Sequence, residues 1–373
     1  KMLKFLCSMV SLRLKVAINE DKEMKDLLRN NQLAFGCLDT WLILKLSKGK
    51  RLVTEPSNTS ATGMFDPFMN DYNGFILKML KFPRKLLVPI IDSSRHHTVI
   101  TTIDKEFFGR PIDVCAVLAD QQSALYGCGG HNKGDTMISM GTGTFVLKNV
   151  GSTPHASMKG LYPLVGWRMN DKTTFIAEGQ QHDTSLMLKW AKSMGWFNNV
   201  EETSDIALSV QSSNGLSIVP ALGGLQTPYN DDHAACVIFN IKPGTTNEHM
   251  VRALLESISF RVYEIYQTME NEIKSNNTSN TRICGGISNN DFVCQTISTL
   301  INRPIERISN CSFAASHGVA LMAGLSNGYW NQSDIQSMIH ISNIFYPISN
   351  DRPSLLLSFS QWQKAVVRSL NFE

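Results

Sequence analysis

The second half of the chain alternates short apolar, β-rich runs with helical ones, and that alternation limits the possible folds more than any other feature of the sequence. Strand-like runs at 174–176, at 216–219, up to Ile283 and near Ile305 are separated by helical patterns at about 184–193, 248–272, 290–300 and 314–324. Strands interleaved with helices predict a layered α/β fold. With 373 residues, and roughly 150 residues per domain, two domains are expected.

The first half is read the same way. Leu3, Leu6, Met9, Val10 and Leu14 recur at helical spacing and predict an amphipathic helix, followed by a polar helical stretch over 21–31. A third helix is expected over 39–46, with Asp39 or Thr40 as N-cap and Lys48-Gly49-Lys50 closing it. Residues 54–65 are rich in Ser, Thr, Asn and Pro and read as a loop. The run 111–120 reads as a short buried strand ending in the carboxylate of Asp120, and Gln121 to Tyr126 begins a helix. Two β-rich runs then flank Gly141-Thr142-Gly143-Thr144, a hairpin pattern. The glycine-rich stretch 127–134 between them is the expected domain boundary, dividing the chain into 1–130, 131–330 and a helical extension over 331–373.

Composition excludes several classes. Only 18% of residues are charged, and 35 basic side chains against 32 acidic ones leave a net charge of +3, which indicates neither a nucleic-acid partner nor an anionic membrane. No window approaches 18 consecutive apolar residues, so no transmembrane segment is expected. The eight cysteines are scattered without a CxxC pair, which fits a reducing, cytoplasmic setting. The sequence lacks the phosphate-loop pattern GxxxxGK[ST], the dinucleotide pattern GxGxxG and HExxH. It begins with Lys rather than Met, which reads as a start within a longer protein.

Three local patterns bear on chemistry, each with an ordinary alternative. Asp120 at a strand end, just ahead of a helix, can take a proton from a substrate hydroxyl, and can equally be a plain N-cap. Gly141, Thr142 and Gly143 allow close backbone approach and offer donors to phosphate oxygens, or form an ordinary turn. Gly285-Gly286 ahead of a helix suits an approaching nucleotide, or is a simple connection.

Taken in order, Phe35-Gly36-Cys37-Leu38-Asp39-Thr40-Trp41-Leu42, Ser57-Asn58-Thr59-Ser60, Ala119-Asp120-Gln121-Gln122-Ser123-Ala124-Leu125-Tyr126-Gly127, Gly141-Thr142-Gly143-Thr144-Phe145 and Gly285-Gly286 with Asn290 resemble the FGGY carbohydrate kinases, within them the glycerol kinases and in particular their animal branch. The resemblance covers nearly the whole chain, including the tail with Pro347, Trp362, Ala365 and Val366.

The resemblance implies an actin-like ATPase (ribonuclease H-like) α/β kinase of two domains, with ATP and Mg²⁺ in the cleft and the γ-phosphoryl group passed to glycerol. Asp120 matches the catalytic base, and the resemblance has it reach the metal through water. Gln121 matches a polyol ligand and Phe145 the aromatic packed on the glycerol carbons. Gly141, Thr142 and Gly143 match phosphate contacts; Gly285, Gly286 and Asn290 match nucleotide contacts. Bacterial members have a Gly and a Gln where this chain has Ser185 and Lys189, which leaves the nucleotide contacts there open. Asn230 stands for a customary Trp, Asn240 for a Gly, and 314–318 match the family's small-residue helix only loosely. The family's initial phosphate-binding hairpin has no counterpart in these residues, so the first domain is expected to be incomplete. The alternatives are a catalytically silent fragment or regulatory pseudokinase, and a kinase of another polyol or a ketose. The resemblance leaves a homo-oligomer open.

Overall fold

The computed structural model describes residues 9–273 and 279–372; Leu3 and Leu6 of the first expected helix lie outside them. Two short helices, α1 (Val10–Glu20) and α2 (Lys22–Arg29), lead in, and the Asp21 side chain caps α2 by accepting from the Met24 amide at 3.0 Å. The third helix, α3 (Leu38–Leu46), starts one residue before expectation with Cys37 at its N-cap. Asp39 and Thr40 are therefore not caps. The Asp39 carboxylate instead turns inward and accepts from Thr54 Oγ1 at 2.7 Å.

The stretch 54–65, expected to be loop, contains α4 (Pro56–Ser60). The reason is local: Glu55 at the N-cap accepts from the Ser57 and Asn58 amides, and Pro56 sits in the first turn, where its missing N–H costs nothing. Small antiparallel pairs follow, β1 (Phe65–Asp66) with β2 (Asp71–Tyr72), then, after α5 (Gly74–Leu80), β3 (Thr101–Ile103) with β4 (Ile112–Val114) around α6 (Lys105–Phe108). The strand expected over 111–120 thus covers only three residues. α7 (Asp120–Gly127) comes after it.

The centre of the molecule is a seven-stranded sheet. Its members are β5 (Thr136–Met140), β6 (Thr144–Gly151), β7 (Tyr162–Met169), β8 (Lys172–Gln181), β11 (Thr281–Cys284), β12 (Ile305–Ile308) and β13 (Ile341–Phe345), in the order β13-β12-β11-β5-β6-β8-β7. β11 runs parallel to β5 and β12, and the remaining pairs are antiparallel. A separate pair, β9 (Ser217–Val219) and β10 (Val237–Phe239), follows α8 (Thr184–Ser193) and α9 (Thr203–Leu208). The helices α10 (Asn247–Glu272), α11 (Asp291–Ile301), α12 (Ala314–Ser326), α13 (Gln332–Ser337) and α14 (Arg352–Ser369) complete the chain.

β5 is buried at every position, as a strand covered on both faces must be. Ile138, Met140 and Val146 pack with Leu254 and Ile258 of α10, Ile297 of α11 and Trp362 of α14. Met137, Leu147 and Ile176 pack on the other face with Leu125 of α7 and Leu321 of α12. α7 and α12 meet backbone to backbone at two glycines: a Cβ on Gly318 would lie 1.8 Å from the Ser123 carbonyl oxygen, and one on Gly127 2.3 Å from that of Ala314. Gly127 and Gly318 are required by that approach. Asn240 holds φ 67°, a left-handed conformation that Asn tolerates better than most residues.

Candidate active site

The hairpin between β5 and β6 forms one wall of the cleft. Gly141 N–H donates to Gly143 O at 2.9 Å and closes the turn. Gly143 has to be glycine, because a Cβ there would lie 2.8 Å from the Gln181 carbonyl oxygen on β8. A Cβ on Gly141 would meet nothing within 4 Å, so the cleft side of the turn is open. Thr142 is exposed at the apex, and its carbonyl accepts from the Ser185 amide at 3.1 Å. That contact sets the first turn of α8 beside the hairpin. Ser185 and Lys189 follow one another at i,i+4 on α8, with Lys189 exposed.

Asp120, Gln121, Gly141, Thr142, Gly143 and Phe145 line one cavity of about 700 Å³, together with Asn58, Glu178, Gln180 and His182. Six of the expected residues therefore meet at one place. The plain N-cap reading of Asp120 does not hold, since Ala119 is the N-cap of α7 and Asp120 its first residue. Asp120 is exposed, and its Oδ1 accepts from the Gln121 amide at 2.8 Å. The Gln121 Oε1 is buried without a hydrogen-bond partner, and an acceptor left in that state costs about 1–3 kcal/mol unless something donates to it. Phe145 lines the same cavity and is half-buried.

Glu178 is a member of this cavity that the sequence did not single out. It lies on β8 opposite Leu147 of β6 and Tyr162 of β7. Burial first, and the Asp120 carboxylate second, push its carboxyl up to about 8. The signal available beforehand was only a lone acid in a strand whose one other charge is Lys172 at its start.

Gly285, Gly286 and Asn290 are not among the cavity's lining residues. Gly285, at φ 90°, ends β11 against β5, where a Cβ would lie 2.4 Å from the Met140 carbonyl oxygen. It therefore sits next to the residue that leads into the hairpin. Gly286 faces open space. The Asn290 amide is engaged, its oxygen accepting from the Val293 amide at 3.0 Å to cap α11 and its Nδ2 donating to Thr203 Oγ1 at 2.9 Å.

Behind the cleft, Arg261 of α10 is 1% exposed and holds the end of β8. Its Nη2 donates to Gln181 Oε1 at 3.0 Å and to the Thr227 carbonyl at 2.7 Å, while Nη1 pairs with Glu264. Removing one partner of such a buried pair typically costs 3–5 kcal/mol. Among the described residues no three His, Cys, Asp or Glu side chains converge to cage a metal. The donor set fits instead a hard cation held largely by phosphate oxygens and water, with the exposed Asp120 carboxylate nearby.

Residues 18–127 match the N-terminal domain of the FGGY family of carbohydrate kinases, and residues 136–326 match its C-terminal domain. The chain is 38% identical to glycerol kinase 5 of Danio rerio, over 99% of this chain and 70% of that protein. It is 34% identical to the glycerol kinase of Dechloromonas aromatica, over 91% of this chain and 67% of that one. The crystal structure of Plasmodium falciparum glycerol kinase with ADP superposes with a TM-score of 0.86 at 26% identity, covering 96% of this chain and 71% of that one. With both family models matched across most of the sequence, the chain belongs to the FGGY family of carbohydrate kinases, enzymes that phosphorylate a sugar or polyol.

Proposed function

We propose that this kinase passes the γ-phosphoryl group of ATP to a primary hydroxyl of glycerol, with Asp120 as general base. The observation that carries the reading is the shared cavity: Asp120, Gln121 and Phe145 line it together with the Gly141–Gly143 turn, and Gln121 has a buried side-chain oxygen left without a partner. A small polyol answers that chemistry. One hydroxyl faces the Asp120 carboxylate, another donates to Gln121 Oε1, and the carbons rest on the Phe145 ring.

Phosphoryl transfer asks the protein mainly for positioning and charge stabilisation. The hydroxyl proton goes to Asp120 as the new oxygen–phosphorus bond forms and ADP leaves. ATP, when bound, supplies the phosphoryl group; the Thr142 hydroxyl and the open side of Gly141 are at hand for its phosphate oxygens. The exposed Gly286 and the Ser185–Lys189 face of α8 suit the rest of the nucleotide, with Asn290 contributing through the cap it gives α11 rather than through a free amide. Mg²⁺ would be met by Asp120 through water. The domain division near residue 130 and a cytoplasmic setting belong to the same reading.

A coupled assay of ADP release over a panel of glycerol, other polyols and pentuloses tests it. Glycerol is expected to raise turnover, and Asp120→Asn to lower kcat about 10²- to 10⁴-fold. Full activity in Asp120→Asn removes the base assignment, a pentulose outrunning glycerol changes the substrate, and no response to any of them leaves a nucleotide-binding protein without transfer.

A further inference from the structure

We propose that Glu55 and Ser57 are positioning residues for Asp120, acting through the backbone amide of Ala119. The inference rests on the reading of Asp120 as the base.

Ala119 is the N-cap of α7 and offers no side-chain oxygen of its own to fix the start of the helix. Its N–H instead donates to Ser57 Oγ at 2.8 Å, across 62 residues of chain. Because an N–H can only donate, Ser57 Oγ is the acceptor there, and its single proton is free to go elsewhere. It goes to Glu55 Oε1. The peptide ahead of Asp120 is therefore tied to a buried carboxylate through one hydroxyl.

The carboxylate is itself fixed from several sides. Glu55 accepts from the amides of Ser57 and Asn58 at 3.0 and 2.6 Å, from Asn58 Nδ2 at 2.7 Å and from Ser93 Oγ at 2.6 Å. Ser93 Oγ in turn accepts from the Arg168 amide of β7 at 3.1 Å, and the Ser93 carbonyl accepts from the Val117 amide at 2.9 Å. Glu55, Ser57 and Ser93 are no more than 1% exposed. Every contact to the Glu55 carboxyl is a donor, so the site suits a two-oxygen, acceptor-only group and not an amide. The connection from β4 to α7 is thus held at Val117 and Ala119, and both ties run through the Glu55 network. Misplacing a reacting group by about 1 Å can cost a rate on the order of 10²-fold, which is how a residue that never meets substrate governs kcat.

The test uses the full chain with Ser57→Ala and Ser57→Thr. Ser57→Ala is expected to lower kcat about 10- to 100-fold while KM for ATP stays within about twofold, and Ser57→Thr, which keeps the hydroxyl, to return kcat to within about threefold of the parent. Amide-resolved hydrogen exchange gives a readout that needs no turnover: in Ser57→Ala the Ala119 amide is expected to exchange at least about tenfold faster, with Val117 unchanged. Should the alanine variant fail to fold, Ser57→Cys, whose sulfur accepts weakly, is expected to move both readouts in the same direction by less. An unchanged kcat in Ser57→Ala overturns the proposal. If the parent transfers phosphate to no polyol or ketose, the base assignment falls, and an Ala119 amide unaffected by the substitution overturns the positioning role as well.

Discussion

Glu55 and Glu178 are the same residue type, both withdrawn from water beside one cleft, and their surroundings differ completely. Glu55 is surrounded by donors, two backbone amides, two serine hydroxyls and a side-chain amide. Glu178 lines an open cavity with another carboxylate, Asp120, as its electrostatic neighbour. Burial raises both carboxyls, yet around Glu55 the donors pull in the opposite direction, whereas for Glu178 both causes push upward. Burial alone does not decide what an acid does. What separates the two is the donors: five hydrogen bonds tie Glu55 into the backbone around it, whereas Glu178 has a carboxylate for its electrostatic neighbour.

The sharpest way to break this contrast is to remove the anchor. Glu55→Ala orphans five donors, three of them on the buried Ser57 and Ser93, and is expected to lower the unfolding free energy by about 3–5 kcal/mol in urea titrations. A loss under about 1 kcal/mol would mean that the donors find other partners, and the two glutamates would no longer differ in kind.

The next test concerns Glu178 and pH. Its folded carboxyl is raised to about 8, so its contribution is fully present below the ordinary glutamate range and is lost as pH rises through about 8. Thermal stability measured from pH 5 to 9 is expected to fall on this account by an amount on the order of a few kcal/mol, and Glu178→Gln to remove that slope and leave the variant more stable at pH 9. Parallel curves for parent and variant would show that Glu178 is ionised throughout. The smallest effect is expected from Asn58→Ala, which takes one donor from Glu55 and leaves the Asn58 amide in place, at about 1 kcal/mol.

The same contrast explains what could be read ahead of the structure. The hairpin at Gly141–Phe145 was legible because its signal is local: two β-rich runs and glycines between them. The helices α8, α10 and α11 were legible for the same reason, and with them the alternation that gives the layered fold. Residues 54–65 were not, because their composition matches a loop, and only the order Glu55-Pro56 marks a helix start. Asp39 misled in a similar way. An acid in the first turn of α3 looks like a cap until Thr54, fifteen residues on, brings a hydroxyl to it. Glu178 could not have been found at all from its neighbours in sequence, since its position beside Asp120 follows from the pairing of β8 with β6 and β7 and from the separate placement of α7. Asn290 kept its structural use, the cap on α11, as the visible one.

The bare contact of α7 with α12 also bears on how the protein comes to be made. Ser123 Oγ donates to the Ala315 carbonyl, 192 positions further along the chain. During synthesis, the helix that carries Asp120 emerges long before the surface against which it seats. A nascent chain halted anywhere before α12 leaves that helix without its partner, so the cleft is among the last parts to be assembled, and a stop just ahead of Ala314 would spare six of the seven strands of the central sheet while leaving Asp120 without its backing.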